Sequence, residues 1–422
     1  MIAIHSMNDN HLVLGRCLAP NLRSALERTP VVVLTGARQT GKTTLARDVV
    51  GEGRTYITLD NLDTAERAER EPDALLDTER PLTIDEVQRS PSLLHAIKRC
   101  VDRRRQPGRF LLTGSANLAL MGKVSESLAG RAVYKTLMPM TVAETAGRGL
   151  CGIWDLIRTD PSALPRGPFP PFEWADAAVA GGFPPSALEP NADARVEWFD
   201  GYVRTYLERD LQTLSTIEHL ADFRRLLRFL ALRTGKLMNQ SELARDAGLA
   251  QPTAHRYLAL LETSHLLVRL PAYAVNRTKR LIKAPRLFLC DSGLACFLAG
   301  LHSPARLKAA DLSGFIVENL VLADLLAWRE TKTPRPEVLY WRTASGQEVD
   351  FVVEGDGHLM PIEVKASSRA RLEDTNGLLA FIDEYPETAP HAILLYGGRT
   401  VERLSGRIWA VPLSLALGMA TP

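Results

Sequence analysis

No apolar run in the 422 residues approaches the ~18 that a membrane-spanning helix requires, so no transmembrane segment is expected. The opening residues, Met1-Ile-Ala-Ile-His-Ser-Met-Asn-Asp, lack a positively charged stretch followed by a long apolar block. A secretory leader is therefore not expected, and the cytoplasm is the expected compartment. Cysteine is scarce: Cys17, Cys100, Cys151, Cys290 and Cys296 are odd in number and form no C-x-x-C pair. That argues against both a disulfide framework and a thiolate zinc site. The net charge of +2 is too small to announce a nucleic-acid binder by itself. Internal repeats and low-complexity tracts are also lacking, which leaves out solenoids and disordered arrays.

What is present is globular. Hydrophobic content of 45% and charged content of 24% lie at the average for folded proteins, and the length suggests roughly two to four domains. Apolar runs at Val31 to Leu34, Tyr56 to Leu59, Pro81 to Ile84, Phe110 to Leu112 and Ala132 to Leu137 alternate with helical text. Such alternation predicts an α/β fold with a parallel sheet covered by helices. A proline- and glycine-rich loop from Pro161 to Pro171 closes this first domain, placed at residues 1–160. A helical region follows at 171–300 and a third domain at 301–422.

The first domain carries Gly36-Ala37-Arg38-Gln39-Thr40-Gly41-Lys42-Thr43, an unbroken G-x-x-x-x-G-K-T directly after an apolar run. Glycines let the backbone fold close enough to a triphosphate for successive N–H groups to meet its oxygens. Lys42 is expected to reach the β- and γ-phosphates and Thr43 to give its hydroxyl to Mg²⁺. A helix from Thr43 to about Val50, beginning with Thr43 and Thr44, adds its N-terminal dipole. A chance glycine loop would share the outline but not the full pattern in its strand–loop–helix setting. ATP is the expected ligand.

Hydrolysis needs more than a phosphate loop. The strand Pro81-Leu-Thr-Ile-Asp85-Glu86 ends in two acids. Asp85 is expected to hold Mg²⁺ through its waters, and Glu86 to orient and deprotonate the attacking water. Phe110-Leu-Leu-Thr-Gly-Ser115 places small polar groups at another strand end, and Thr113 or Ser115 is the expected γ-phosphate sensor. Arg131, in Ser127-Leu-Ala-Gly-Arg131, is the candidate arginine finger, in cis or in trans; its alternative is a surface arginine that merely starts a strand. Arg38, inside the loop, could touch phosphate or a partner.

In the middle region, Asn239 to Glu262 has the rhythm of a helix-turn-helix, with the turn at Gly248 and the second helix starting near Gln251. Leu266 to Leu270 and Arg286 to Cys290 would form a wing, giving a winged helix. Gln251, Thr253, His255 and Arg256 would then face a DNA groove, although such elements also serve only to join domains. Arg269, Arg277, Lys279, Arg280, Lys283 and Arg286 form an acid-free basic segment. It reads either as a nucleic-acid surface or as a solvated loop.

The last domain begins with a helix from Gly314 to Trp328, then β stretches at Val338 to Thr343, Glu348 to Glu354 and Met360 to Ala366. A helix near Leu372 to Glu384 and a strand from His391 to Tyr396 complete it. On a strand, residues two apart share a face, so Glu363 and Lys365 project together, as do Glu348 and Asp350. Neighbouring strands could gather Asp350, Glu363 and Lys365 into one cluster, the acids holding Mg²⁺ or Mn²⁺ and the lysine steadying a water or developing charge. Charged residues facing solvent on an antiparallel sheet are the simpler reading.

The loop and paired acids resemble the AAA-type ATPases. With Ile-Asp-Glu-Val-Gln, Leu-Leu-Thr-Gly-Ser, Ser-Leu-Ala-Gly-Arg, Gly181-Gly-Phe-Pro, Tyr-Leu-Glu-Arg-Asp at 206–210 and Asp291-Ser-Gly-Leu, most of the chain resembles a widespread bacterial and archaeal family. Its members join an AAA ATPase to a C-terminal domain of unknown function. The C-terminal pattern is similar to the PD-(D/E)xK restriction-endonuclease-like fold, in which Glu318 corresponds to an additional acid and metal ligand on the preceding helix. No proline precedes Asp350, a departure from that pattern. Two functions are thus expected: a Mg²⁺-dependent ATPase that acts on DNA and delivers it to a nuclease, or a nucleotide-controlled DNA- or protein-binding switch with an inactive nuclease-like domain. A homo-oligomer is possible in either, and no membrane partner is expected.

Overall fold

The computed structural model describes residues 4–8, 11–114, 128–205 and 220–420, which divide into two compact units. Among the described residues no helix is long and apolar enough to cross a membrane.

The first unit comprises Met1–Met138 with Gly147–Gly149 and Thr263–His265. Strands β1 (Ile4–Asn8) and β2 (His11–Leu14) form an antiparallel ribbon. The main sheet contains β3 (Val31–Thr35), β4 (Thr55–Thr58), β5 (Leu82–Asp85), β6 (Phe110–Thr113) and β7 (Ala132–Thr136). They run parallel in the order β4-β5-β6-β3-β7, so β6 separates the phosphate-loop strand from the strand bearing the paired acids.

The five apolar runs read from sequence are these five strands, within a residue or two at their ends. Every residue of β3 is buried, because both faces are covered. Val31 and Val33 pack with Leu93, Leu94, Ile97 and Val101 of the helix Pro91–Arg103. Val32 and Leu34 pack on the other side with Leu22 and Ala25 of the helix Ala19–Arg28, and with Leu45 and Ala46. Alternation along the strand sends successive side chains into separate cores. Each fully buried Val or Leu contributes on the order of 1.5–3 kcal/mol. These cores fix the strand ends where the loop and the acids sit.

The second unit comprises Pro139–Ala146, Leu150–Glu262 and Leu266–Pro422. Its boundary with the first unit therefore precedes the Pro161 to Pro171 loop. Met140 N–H donates to the Gly182 carbonyl at 2.6 Å, and a Cβ on Gly182 would lie 2.3 Å from the Met140 oxygen. The Gly181-Gly182 turn is thus a place of close backbone approach. Helices Leu220–Leu232, Gln240–Asp246 and Gln251–Thr263 precede an antiparallel pair, β8 (Leu267–Leu270) and β9 (Arg286–Leu289). Gly248, at φ +64°, makes the turn between the second and third helices.

The long helix Ser313–Glu330 leads into a six-stranded sheet. Its members are β10 (Glu337–Arg342), β11 (Glu348–Gly355), β12 (His358–Lys365), β13 (Ala392–Tyr396), β14 (Glu402–Arg403) and β15 (Ile408–Pro412), in the order β10-β11-β12-β13-β15-β14. The first three form an antiparallel meander and β13 lies parallel to β12, with the helix Asn376–Glu384 between them in the chain. The sequence reading stopped at β13. Strand β15, parallel to β13, and the edge strand β14 extend the sheet beyond it.

Candidate active site

The phosphate loop leaves β3 through backbone that only glycine accommodates easily. Gly36 has φ +144°, and a Cβ there would lie 2.4 Å from the Leu137 carbonyl oxygen. Gly41 has φ +89°, and Gln39 takes the left-handed region at φ 69°. The Thr40 hydroxyl donates to the Ala37 carbonyl at 2.9 Å. Arg16 braces the loop from outside, donating to the Thr40 carbonyl at 2.7 Å and to the Met138 carbonyl at 2.7 Å. Lys42 is buried, its ammonium donating to the carbonyls of Gly36 at 3.1 Å and Ala37 at 2.8 Å. Burial lowers its pKa to about 8, with Glu86 and Asp85 pulling it back up. A cation held in so dry a site has much to gain from an anionic ligand. Arg38, Gln39 and Thr44 are exposed. The helix after the loop is a short α-turn, Lys42–Thr44, that continues as a π-helix through Val49.

Register brings the acids to the loop. Ile84 pairs with Leu112, and Leu34 with Thr113, so Asp85 closes β5 at the level where β6 and β3 end. The loop reaches across β6. Thr43 Oγ1 donates to Asp85 Oδ2 at 2.8 Å, the Tyr56 hydroxyl donates to the same oxygen at 2.8 Å, and Thr113 donates to Oδ1. Three hydroxyls thus orient one buried carboxylate beside the phosphate loop. Glu86 follows in left-handed backbone, φ 56° and ψ 41°, and its carboxylate accepts from Gln88. Burial raises its pKa, the direction a proton acceptor requires, and the Gln88 hydrogen bond limits the rise.

Among the sensor candidates, Thr113 has its hydroxyl turned to Asp85, while Ser115 lies outside the described residues, as does the 206–210 motif. Arg131 is not brought to the loop of its own chain. Ala132 pairs with Val31, and Thr136 with Thr35, so Arg131 sits at the opposite end of the sheet from the loop. Five strand residues separate them, ~16 Å at ~3.3 Å each. Its guanidinium grips Asp102 at 2.6 and 2.9 Å. Tyr56 and Arg16 escaped the sequence reading. Neither belongs to the loop motif, and only the fold brings them to it.

In the second unit, Asp350, Glu363 and Glu318 are buried near one another, and Lys365 donates to Glu363 Oε1 at 2.6 Å. The expected pairing of Glu363 and Lys365 on one strand face is thus present, whereas Glu348 is exposed. An arginine not assigned to this cluster from sequence lies between the acids. Arg286 of β9 donates to Glu318 Oε2 and faces Asp350 Oδ1 at 3.4 Å. Asp350 Oδ2 accepts the Val364 N–H at 2.9 Å. Burial pushes Glu363 up to about 8 and Glu318 well above the carboxylate range. The Asp350 charge adds to both, while Lys365 and Arg286 respectively oppose the rise.

Mg²⁺ demands several oxygens at about 2.1 Å. Among the described residues no three His, Cys, Asp or Glu side chains are grouped to hold a metal ion. In this arrangement Glu318, Asp350 and Glu363 do not fit a divalent ion. The phosphate loop with Thr43 and Asp85 does fit magnesium nucleotide, through the buried Lys42 ammonium and the hydroxyl–carboxylate pair. The signal for Arg286 was a lone arginine opening a buried strand, which needs an acid.

The basic segment is also divided. Arg277, Lys279 and Lys283 are exposed, as are Gln251 and His255. Arg280 is buried against Glu354 and Glu337, and Arg269 pairs with Glu262. Half of the segment therefore turns inward as structural ion pairs.

Residues 28–146 match an AAA domain family, residues 172–305 a domain of unknown function (DUF8612) and residues 313–416 another (DUF4143). Among solved structures, the chain is similar to the Walker-type ATPase PABY2304 of Pyrococcus abyssi, at 16% identity and a TM-score of 0.41, over 66% of this chain and 94% of that one. It is also similar to a single-residue variant of RuvB from Thermotoga maritima, at 21% identity and a TM-score of 0.28, over 63% and 92%. The uncharacterized proteins Rv2008c of Mycobacterium tuberculosis and Mb2031c of Mycobacterium bovis are each 36% identical over 364 residues, 85% of this chain and 75% of theirs. The chain belongs to the family of these mycobacterial proteins, with an AAA-type ATPase domain at residues 28–146.

Proposed function

We propose that the protein is a Mg²⁺-dependent ATPase that serves as a nucleotide-controlled switch for nucleic acid, with a nuclease-like C-terminal domain that does not cut. The observation that carries the ATPase is the 2.8 Å bond from Thr43 to Asp85, which joins the phosphate loop to the acid-bearing strand. The backbone from Gly36 to Gly41 would cradle the phosphates, with Lys42 as countercharge. Thr43 and Asp85 would hold Mg²⁺, which supplies charge neutralisation on the phosphates when bound. Glu86 orients a water and takes its proton as the water attacks the γ-phosphorus; the bond to the leaving ADP oxygen breaks.

Lys42→Ala is expected to lose nucleotide affinity. Glu86→Gln is expected to bind ATP and hydrolyse it ~10²–10⁴-fold more slowly. Hydrolysis by Glu86→Gln at the parental rate would remove Glu86 from the mechanism.

Nucleic-acid binding is favoured by the helix Gln251–Thr263, by the β8–β9 ribbon of winged-helix order, and by exposed Arg277, Lys279 and Lys283. The non-cutting reading is favoured by Arg286 between Glu318 and Asp350. The same-face pair Glu363 and Lys365 favours the cutting alternative. Incubation of the parent with single-stranded, duplex and branched DNA and Mg²⁺ or Mn²⁺ decides between them. Intact DNA is expected; cutting that disappears in Lys365→Ala would establish the nuclease.

A further inference from the structure

The connection between β8 and β9 carries a short helix, Arg277–Ile282, whose polarity is reversed. Its Arg280 is buried, while Leu281 and Ile282 are 87% and 79% exposed, and Val275 just before it is 71% exposed. Three large aliphatic side chains in water forgo the gain that drives such residues inward. The segment is nevertheless firmly fastened. Arg280 Nε donates to the Ala274 carbonyl at 2.6 Å, Nη1 donates to Glu337 at 3.0 Å, and both Nη groups donate to Glu354. Its guanidinium also lies 4.8 Å from the centre of the Tyr273 ring. On either side of the helix, Tyr340 of β10 donates its N–H to the Pro271 carbonyl at 3.0 Å and its hydroxyl to the Ala284 carbonyl. The apolar residues are thus held out on a fixed base, beside exposed Arg277, Lys279 and Lys283, in a stretch from Arg269 to Arg286 that contains no acid.

Charge decides what meets this surface. A second copy docking face to face would set each group of cations against its own kind. The Val275, Leu281 and Ile282 side chains together hold fewer carbons than the single acyl chain that gives only marginal membrane binding. A protein groove takes anchors three and four residues apart on a longer helix, whereas Leu281 and Ile282 are adjacent. Duplex DNA offers phosphates on both sides of an apolar base stack, and so matches cations that flank an apolar pair. We propose that Leu281 and Ile282 form a wedge that enters between base pairs of duplex DNA and unstacks them, with Arg277, Lys279 and Lys283 on the flanking phosphates. Leucine and isoleucine are among the side chains that part base steps in this way, and the Arg280 anchorage gives the wedge the rigid base it needs. The inference rests on the nucleic-acid reading above, and implies a preference for pyrimidine–purine steps, which part most easily.

The full-length protein is titrated at low salt into a short duplex with a central TA step, 2-aminopurine beside that step and a fluorophore pair on the ends. Binding is read by anisotropy, unstacking by 2-aminopurine fluorescence and bending by energy transfer. The parent is expected to raise both the fluorescence and the transfer. The double variant Leu281→Ser with Ile282→Ser is expected to lose both rises while binding within about tenfold of the parent, since phosphate contacts supply most of the affinity. Leu281→Met with Ile282→Met, which keeps an apolar wedge, should restore them. A parent that binds the duplex without unstacking it overturns the wedge and leaves the nucleic-acid reading standing; a parent that binds no duplex overturns both. Unstacking that persists in the serine variant also overturns the wedge. So does parental binding to phosphatidylserine vesicles that depends on Leu281 and Ile282 when the duplex stays stacked, which would assign the surface to a membrane.

Discussion

The Asp324 carboxyl is buried, with Oδ1 accepting from Gly152 N–H at 2.7 Å and Trp154 Nε1 at 2.7 Å, while Oδ2 has no partner. Burial raises its pKa to about 7. Unfolded, it titrates near 4. The folded form therefore holds its proton more tightly, and this contribution to stability is complete below about pH 4 and lost as pH rises through about 7. Asp324→Asn keeps an acceptor for both donors without the charge. Chemical denaturation of parent and variant between pH 4 and 8 is expected to show a shallower loss of stability in the variant; equal slopes would dismiss Asp324 as the source. Legibility at this scale was uneven. Gly36, Lys42, Thr43, Asp85 and Glu86 could be read because a phosphate loop and an acid pair are contiguous patterns with fixed chemistry. Arg286 could not be assigned, because a buried arginine is explained by acids far along the chain.

Elements were more legible than their roles. Alternating apolar runs located β3 to β7, and the period of two placed Glu363 and Lys365 on one face. Sequence could not divide the basic segment, since an arginine bound to Glu354 and one in solvent read alike. The fold now makes that division testable. Arg277, Lys279 and Lys283 lie at the surface and are the candidates for phosphate contact. Replacing all three by alanine is expected to weaken duplex binding uniformly across sequences and to flatten the logarithmic salt dependence by about 0.9 per lost contact. Arg280→Ala should instead lower the melting temperature, because Glu354 and Glu337 lose their partner. An unchanged salt slope in the triple variant would remove this segment from the nucleic-acid surface.

At the scale of the whole molecule, the proposed hydrolysis needs positive charge on the transferring phosphoryl group beyond Lys42 and Mg²⁺. Arg131 cannot serve its own loop from the far end of β7, so a catalytic role for it requires a second copy of the chain. ATP turnover per chain is then expected to rise with protein concentration, and Arg131→Ala should abolish that rise. The inactive Lys42→Ala and Arg131→Ala variants, mixed, should recover activity in part. Turnover independent of concentration and unaffected by Arg131→Ala would retire the arginine to its surface pair with Asp102. Composition put the end of the first domain just before the loop from Pro161 to Pro171, whereas the first compact unit runs to Met138.

The arginine at position 16 grasps two carbonyls at once: one in the nucleotide loop, at Thr40, and one at Met138, the last residue before the chain passes into its second unit. Through its two Nη groups a single guanidinium thus ties the nucleotide loop to the stretch of backbone that ends the first unit, so neither carbonyl is left to solvent alone.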